Sequence, residues 1–465
     1  MLLTSLSYFI VYKIIISLLG INFMGIWALI LGYTSILSQS ASSITTNLIR
    51  KIASFTNTEL DTKISRLICN ALFIYLCFFI ILLVVVLLLI QLLVPSIYLH
   101  TVSYSIIYII LVSNFITLLT SIFSTILDGK NKFYLKNFYL LIALVISFLF
   151  FVFTIKAFGV WSLALMLIIQ ATIGLMLIFL YVKRTSKLKF SIGFISINDA
   201  KELFRESWKL QAISITVLCY EPIIKYFLSV YGIANVAFYE ISNKIIFQIK
   251  NLFSVGIQTL MPKIIYLYKS SEKNFVNNYY QVKAITFSLV FLLFSCVTLL
   301  LPIISIFFLK SKNDEFYRVF AILSIGNIIN AIAIPSHIKF VAINKINTPL
   351  LSFLIILLSL IITCPLFGYF FNGIGVIVAI SCALILGSLV TIVHFEKLYK
   401  KEENTVNNAL KYISVFSFSL TVFIACTHIY STVIKYGLYI FSILLIGLIA
   451  YFSIYQFYTG KKVNK

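Results

Sequence analysis

Apolar segments long enough to cross a lipid bilayer recur along this whole chain, and they restrict its fold more than any other feature. Of the 465 residues, 61% are hydrophobic and only 11% are charged. About 20 consecutive apolar residues span the hydrocarbon core as a helix, and a helix satisfies its own backbone hydrogen bonds there. The sequence therefore predicts an all-α polytopic membrane protein and excludes a water-soluble core.

The spacing of these segments predicts about fourteen transmembrane helices. The first of them has no basic region before it and no small-residue cleavage site after it, so we expect a retained helix rather than a signal peptide. The predicted spans cover approximately residues 2–19, 24–48, 67–93, 103–127, 138–156, 159–182, 208–231, 233–261, 284–309, 318–341, 350–371, 374–395, 411–430 and 434–458.

The basic residues alternate between the loops on the two sides of these spans. The net charge is +22, and 27 of the 36 lysines and arginines fall in one set of loops, five in the other and four inside spans. Basic loops stay on the cytoplasmic side of a membrane. We therefore expect both termini to be cytoplasmic, and we attribute the charge to topology rather than to nucleic-acid binding.

Two parts of the chain repeat each other at a nearly constant offset. Tyr12-Lys13 precedes Gly20 as Ile224-Lys225 precedes Gly232, and segment 128–132 resembles segment 343–347, with Asp128 paired to Ile343. Repeats of this kind are typical of transporters, whose substrates bind where the repeats meet. We predict two pseudo-symmetric six-helix lobes, 1–206 (with an inner loop) and 207–410, followed by an appended helix pair and basic tail, 411–465.

The inner loop between the lobes ends in an amphipathic run, 197–208, before the seventh span. Such a run can rest on anionic lipid as an interfacial helix, or it can be a solvated linker. The sequence leaves both alternatives open.

The eighth predicted span carries a polar stripe. Glu240, Lys244, Gln248, Asn251 and Gln258 recur at helical spacing, so they fall on one narrow face of the helix. The equivalent face of the second span carries small and less polar residues, and it includes Gln39. A polar stripe on a spanning helix faces protein or water rather than lipid. We interpret these faces as walls of a substrate cavity; the alternative is hydrogen bonding between packed helices.

Lysines inside the predicted spans are the strongest candidates for ligand contact. Glu221 precedes Lys225 by four residues and Glu240 precedes Lys244 by four, so each pair can either neutralise itself or serve a ligand. Lys13 has Phe9 where the acid would be, and an isolated lysine at mid-helix costs roughly 2.5–3.5 kcal/mol. We therefore predict that Lys13 contacts an anionic substrate. Pro222 removes a helix hydrogen bond and predicts a kink that could flex.

Motifs of enzymes and metal sites are missing from the sequence. The seven cysteines and four histidines have no ligand spacing, and no phosphate-binding glycine loop or nucleophile–base set occurs. We predict no catalytic residue, no metal and no cofactor, and we leave open whether protons or sodium ions drive transport. The short outer loops also argue against a further alternative, a membrane glycan polymerase or ligase.

Several landmarks resemble the bacterial polysaccharide flippases of the multidrug/oligosaccharidyl-lipid/polysaccharide exporter superfamily. They are Gly20-x4-Gly25-Ile26-Trp27, Leu127-Asp128-Gly129-Lys130-Asn131-Lys132, Pro222-x2-Lys225, and Tyr239-Glu240 followed by Leu260-Met261-Pro262. Members often carry an acid followed by Leu-Gly late in the second span, where this chain has Gln39-Ser40-Ala41, so no coupling role is carried over.

This resemblance implies a function and a substrate. It implies flipping of polyprenyl-diphosphate-linked oligosaccharide across the bacterial inner membrane by alternating access, for O-antigen or capsule synthesis. By this resemblance Lys13, Gln39, Lys225, Glu240 and Lys244 would line the cavity, and the partners would be membrane lipid and other polysaccharide-assembly proteins. The Glu–Lys spacing and the polar stripe add Glu221, Gln248 and Asn251 to the predicted cavity residues. A cation-coupled drug exporter of the same fold is the second alternative.

Overall fold

A computed structural model describes most of the chain. The described residues are 2–39, 45, 48–49, 51–52, 60–93, 104–130, 132–185, 192–194 and 196–399. Within them the chain is helix and turn, with no strand. The predicted helix pair and tail at 411–465 lie outside the described residues.

The described chain contains fourteen α-helices and one short 3₁₀ turn at Ile192–Phe194. They are α1 (Leu2–Leu19), α2 (Ile21–Gln39), α3 (Leu60–Leu93), α4 (Tyr104–Gly129), α5 (Phe133–Phe158), α6 (Val160–Thr185), α7 (Ile197–Leu218), α8 (Tyr220–Val230), α9 (Ile233–Gln258), α10 (Met261–Ser270), α11 (Glu272–Leu309), α12 (Asp314–Ile332), α13 (Ile334–Ala342) and α14 (Asn347–Leu398).

These helices confirm the predicted all-α membrane architecture. Eight helical segments of the described chain are long and apolar enough to cross a bilayer, and α1 and α2 contain shorter apolar helices. α9 falls outside this group because its polar stripe lowers its hydropathy. Wherever the first twelve predicted spans are described by the structure, they coincide with helix. The seventh predicted span corresponds to α7 and α8, and the tenth corresponds to α12 and α13. The eleventh and twelfth predicted spans together form α14, which is divided by non-helical backbone at Asn372.

By their contacts, the residues group into two compact units, which we call unit 1 and unit 2. Unit 1 comprises Met1–Val11 and Ile26–Tyr226, and unit 2 comprises Tyr12–Gly25 and Phe227–Lys465. The end of α1 and the beginning of α2 therefore pack with the helices of unit 2. The predicted lobe limits, 1–206 and 207–410, follow the sequence repeat rather than these contacts, and they stay a prediction.

The backbone carries the same unusual conformations twice, once in each repeat. Gly20 and Gly232 have positive φ angles of 87° and 128° after the first helix of each repeat. Gly159 and Asn372 have φ angles of 51° and 55°, and each lies between the last two helical segments of its repeat. The duplication inferred from the sequence is therefore also present in the backbone.

The turn that follows the fourth helix of each repeat establishes the register. The amide of Lys132 donates to the carbonyl of Leu127, and the amide of Lys345 donates to that of Phe340. Lys132 and Lys345 are therefore equivalent residues. The predicted pairing of segments 128–132 and 343–347 set Lys130 against Lys345, so it was wrong by two positions.

The amphipathic run 197–208 is helical and continuous with the following span. Ser196 caps α7 by accepting a hydrogen bond from the amide of Asp199, and Arg66 of α3 pairs with Asp199 at 2.6 Å. Asn70 of α3 also bonds the backbone of Ser196. The start of α7 is therefore anchored to α3. α7 ends shortly before Pro222, where the sequence predicted a kink.

The paired turns provide a stability test. Asn372 has φ 55° and ψ −143°, a backbone conformation that favours glycine and costs other residues about 1–3 kcal/mol. Asn372→Gly should therefore raise the thermal unfolding temperature of the purified protein. Gly159→Asn should lower it, although a Cβ at Gly159 would meet no atom within 4 Å. A lower unfolding temperature for Asn372→Gly would contradict this explanation.

Candidate functional site

Lys225 of α8 is buried in unit 1, and its charge is compensated there. Its Nζ donates to the carbonyl oxygen of Ala28 at 3.0 Å and lies 3.1 Å from Oε2 of Glu221, one turn earlier. The Lys225 side chain is 4% exposed, whereas that of Glu221 is 34% exposed. The predicted Glu221–Lys225 pair therefore forms, with the cation on its buried side.

Gly32 of α2 makes room for this lysine. A Cβ at Gly32 would lie 2.8 Å from Cδ and 3.3 Å from Nζ of Lys225. Gly32 also lies one turn after Ala28, so the missing side chain leaves the Ala28 carbonyl open to a second donor. A buried ammonium group needs such partners because an unpaired charge inside a protein is strongly destabilising. Lys225 thus joins α8 to α2.

In unit 2, Glu240 of α9 is the buried member of its pair. Its Oε1 accepts a hydrogen bond from the Tyr12 hydroxyl at 2.8 Å and lies 3.5 Å from Nζ of Lys244. The Glu240 side chain is 3% exposed and that of Lys244 is 44% exposed. The predicted Glu240–Lys244 pair also forms, but here the cation is on the accessible side.

Lys13 of α1 differs from its repeat partner Lys225. It is exposed, and its Nζ lies 3.9 Å from the ring centroid of Phe307 on α11. No described carboxylate forms an ion pair with it. The repeat explains the difference, because the residue equivalent to Gly32 is Lys244. In unit 1 a glycine leaves space for Lys225, whereas in unit 2 a second lysine stands at the position that would have to accommodate Lys13.

Other predicted site residues are placed by the same helices. Gln248 and Asn251 are half-buried on α9, on the face that carries Lys244. Gln39 is the last residue of α2. Pro222 lies in the first turn of α8, directly after the break between α7 and α8 at Cys219. Unit 2 thus brings Glu240 and Lys244 together and unit 1 brings Glu221 and Lys225 together, while the role of all eight residues in a substrate cavity stays a prediction.

One partly buried lysine, one buried lysine and one tyrosine were not among the predicted site residues. Tyr12 had no charge to indicate its contact with Glu240. Lys250 of α9 lies outside the polar stripe and donates to Oδ1 of Asn327 on α12 at 3.0 Å. Lys339, counted with the inner loops, is buried in α13, donates to the carbonyl of Phe275 at 2.8 Å and lies over that ring.

The described residues hold no group of three or more histidine, cysteine, aspartate or glutamate side chains that could bind a metal ion. The carboxylates of Glu221 and Glu240 are each engaged by a lysine. Coupling to protons or sodium ions therefore stays a hypothesis.

Substitution of Gly32 tests the packing of Lys225. In Gly32→Ala the new methyl group would displace the buried lysine from the Ala28 carbonyl, which should destabilise the protein by about 1–3 kcal/mol. The matched control is Gly256→Ala on α9, where a Cβ would meet nothing within 4 Å and should stabilise the helix slightly. Thermal unfolding of the two variants in detergent is the measurement. An unfolding temperature for Gly32→Ala at or above that of Gly256→Ala would exclude the proposed packing role.

Comparison of sequences provides no family assignment. No protein-family model matches the chain, and no curated protein sequence is significantly similar to it.

Solved structures, in contrast, match most or nearly all of its length. The lipid II flippase MurJ in an inward closed conformation has a TM-score of 0.73 at 16% identity, over 99% of this chain and 98% of that one. An inward-facing multidrug resistance MATE family transporter of the MOP superfamily has a TM-score of 0.62 at 14% identity, over 83% and 92%. A MOP superfamily transporter from Pyrococcus furiosus, described as having a binding pocket of reverse polarity, has a TM-score of 0.57 at 16% identity, over 86% and 94%. The chain therefore shares the fold of these transporter structures, in agreement with the predicted all-α, two-lobed architecture.

Proposed function

We propose that this protein flips polyprenyl-diphosphate-linked oligosaccharide units across the bacterial cytoplasmic membrane by alternating access. The flipped unit would then be used in the synthesis of a surface polysaccharide such as O-antigen or capsule. The protein would act as a transporter rather than an enzyme, with both termini in the cytoplasm, and its partners would be the lipid-linked substrate, membrane lipid and other polysaccharide-assembly proteins.

Two accessible cations within predicted spans are the observation that carries this proposal. Lys13 is exposed on α1 without a carboxylate partner among the described residues, and Lys244 is 44% exposed on α9. A lysine at mid-membrane is costly unless it meets water or an anion. A diphosphate is a compact anion that suits lysine as a point-charge partner.

Amide side chains on the same helix face as Lys244 fit the sugar part of such a substrate. Gln248 and Asn251 follow Lys244 on the same face of α9 and are half-buried. Carboxamides donate and accept hydrogen bonds, as sugar hydroxyl groups do. The polyprenyl tail can remain in the bilayer, so only the charged and polar head needs to cross. The likeness to a lipid II flippase supports this division of the substrate.

A cation-coupled drug exporter is the second candidate, because multidrug transporters share this fold. Binding of cationic drugs requires accessible carboxylates. In the described structure Glu240 is buried and Glu221 is partly exposed beside the buried Lys225, whereas Lys13 and Lys244 are both accessible. This pattern of charge favours an anionic substrate.

Deletion of the gene in its host distinguishes these functions. A flippase defect should leave lipid-linked oligosaccharide on the inner leaflet, protected from reagents that modify only the outer leaflet. Unpolymerised units on the outer leaflet would instead indicate a polymerase, and normal polysaccharide with increased drug sensitivity would indicate an exporter.

Substitution of Lys13 tests the cation itself. We expect Lys13→Gln to reduce export of the polysaccharide at least about tenfold at normal protein levels, because the anionic head loses a charge-assisted contact. Lys13→Arg should retain most of the activity. Lys156→Gln, which removes an exposed lysine in the last turn of α5, is the matched control. Full complementation of the deletion strain by Lys13→Gln would refute a role for Lys13.

A further inference from the structure

The two Glu–Lys pairs differ in which member is buried. In the Glu221–Lys225 pair the cation is buried and the acid is partly exposed, at 4% and 34%. In the Glu240–Lys244 pair the acid is buried and the cation is accessible, at 3% and 44%. An external anion could therefore reach the ammonium group of Lys244, but not that of Lys225.

The buried acid is held in place independently of its lysine. The Tyr12 hydroxyl donates to Oε1 of Glu240 at 2.8 Å, and Tyr12 itself is buried. The longer distance, 3.5 Å, is the one to Lys244. Glu240 would therefore keep a hydrogen bond if Lys244 turned toward a ligand. The lysine is the partner that can turn toward a ligand, because its side chain has four rotatable bonds and is 44% exposed.

A charged group in the hydrocarbon region is costly unless a charge of opposite sign accompanies it. While the site is empty, the carboxylate of Glu240 neutralises Lys244. When an anionic head group binds Lys244, the ligand supplies that negative charge instead. The accessible cation is thus compensated in both conditions.

We propose that Glu240 is an internal counter-anion that replaces the substrate's negative charge on Lys244 while the transport site is empty. This inference rests on the proposed function, because it assumes an anionic lipid-linked substrate. Its consequence is kinetic: the empty protein can return across the transport cycle without an uncompensated ammonium group. Glu240 is a positioning residue for Lys244 and does not itself contact the substrate.

Reconstituted vesicles can separate the empty return from the loaded steps. The wild-type protein and Glu240→Gln are compared with a fluorescent polyprenyl-diphosphate-linked oligosaccharide. Net flipping is measured with no substrate on the opposite leaflet, and exchange is measured with saturating unlabelled substrate there. Glutamine keeps the acceptor for Tyr12 and removes only the charge.

We expect Glu240→Gln to slow net flipping by about tenfold or more, because the empty site would then carry a free cation. Exchange should stay within about twofold of the wild-type rate, because both loaded steps carry the substrate's own charge. A variant in which net flipping and exchange slow together, or neither slows, overturns the proposal.

Two controls separate the charge from the packing. Tyr12→Phe removes the hydrogen bond but keeps the carboxylate, so the ratio of exchange to net flipping should stay as in the wild type. Glu396→Gln removes the acid that pairs with Lys283 elsewhere in unit 2, and it should also leave this ratio unchanged. A raised ratio in either control would indicate a structural effect and overturn the proposal.

Lys244 provides a second test if Glu240→Gln does not fold. Lys244→Gln should slow exchange itself, and Lys244→Arg should restore it; wild-type exchange in Lys244→Gln overturns the proposal. A wild-type protein that flips no lipid-linked oligosaccharide refutes the proposed function together with this inference. Wild-type flipping with an unchanged ratio in Glu240→Gln refutes the inference alone.

Discussion

A charge inside a lipid bilayer has to be compensated by an opposite charge, a polar partner or water, and this requirement explains the surroundings of the lysines in the predicted spans. Four lysines lie within predicted spans, and the structure compensates them in different ways. Lys225 contacts a backbone carbonyl oxygen and a carboxylate, Lys244 contacts a carboxylate, and Lys250 donates a hydrogen bond to a side-chain amide. Lys13 is exposed, and its ammonium group lies over the aromatic ring of Phe307. The proposed transport function depends on the two accessible ammonium groups.

The two repeats share backbone features, but the side chains at equivalent positions differ. The positive-φ turns at Gly20 and Gly232, and at Gly159 and Asn372, show how closely the backbone is repeated. At one equivalent position, however, the first copy has Gly32 and the second has Lys244. The glycine permits Lys225 to become a buried connection between helices. The lysine places an accessible cation where its counterpart has none.

Much of the fold could be predicted from the sequence because its causes are local. Hydropathy placed the first twelve spans, and the lysine–glycine landmarks placed the repeat, although its register after the fourth helix was off by two positions. Both Glu–Lys pairs followed from their spacing of one helical turn. The spacing did not indicate which member of each pair would be buried, since burial depends on the neighbouring helices. The contact between Tyr12 and Glu240 was not predictable for the same reason, as it joins helices that are far apart in the chain.

The sequence by itself determined that this is a helical membrane protein with two related halves and positive charge inside its spans. Those properties follow from segment length, composition and local repetition, which are independent of packing. Only the tertiary structure decided that Lys225 is enclosed, that Lys13 and Lys244 are accessible, and that Glu240 is the buried acid. Each of these outcomes depends on the space that one side chain leaves for another on a different helix, and the absence of a side chain at Gly32 is the clearest case.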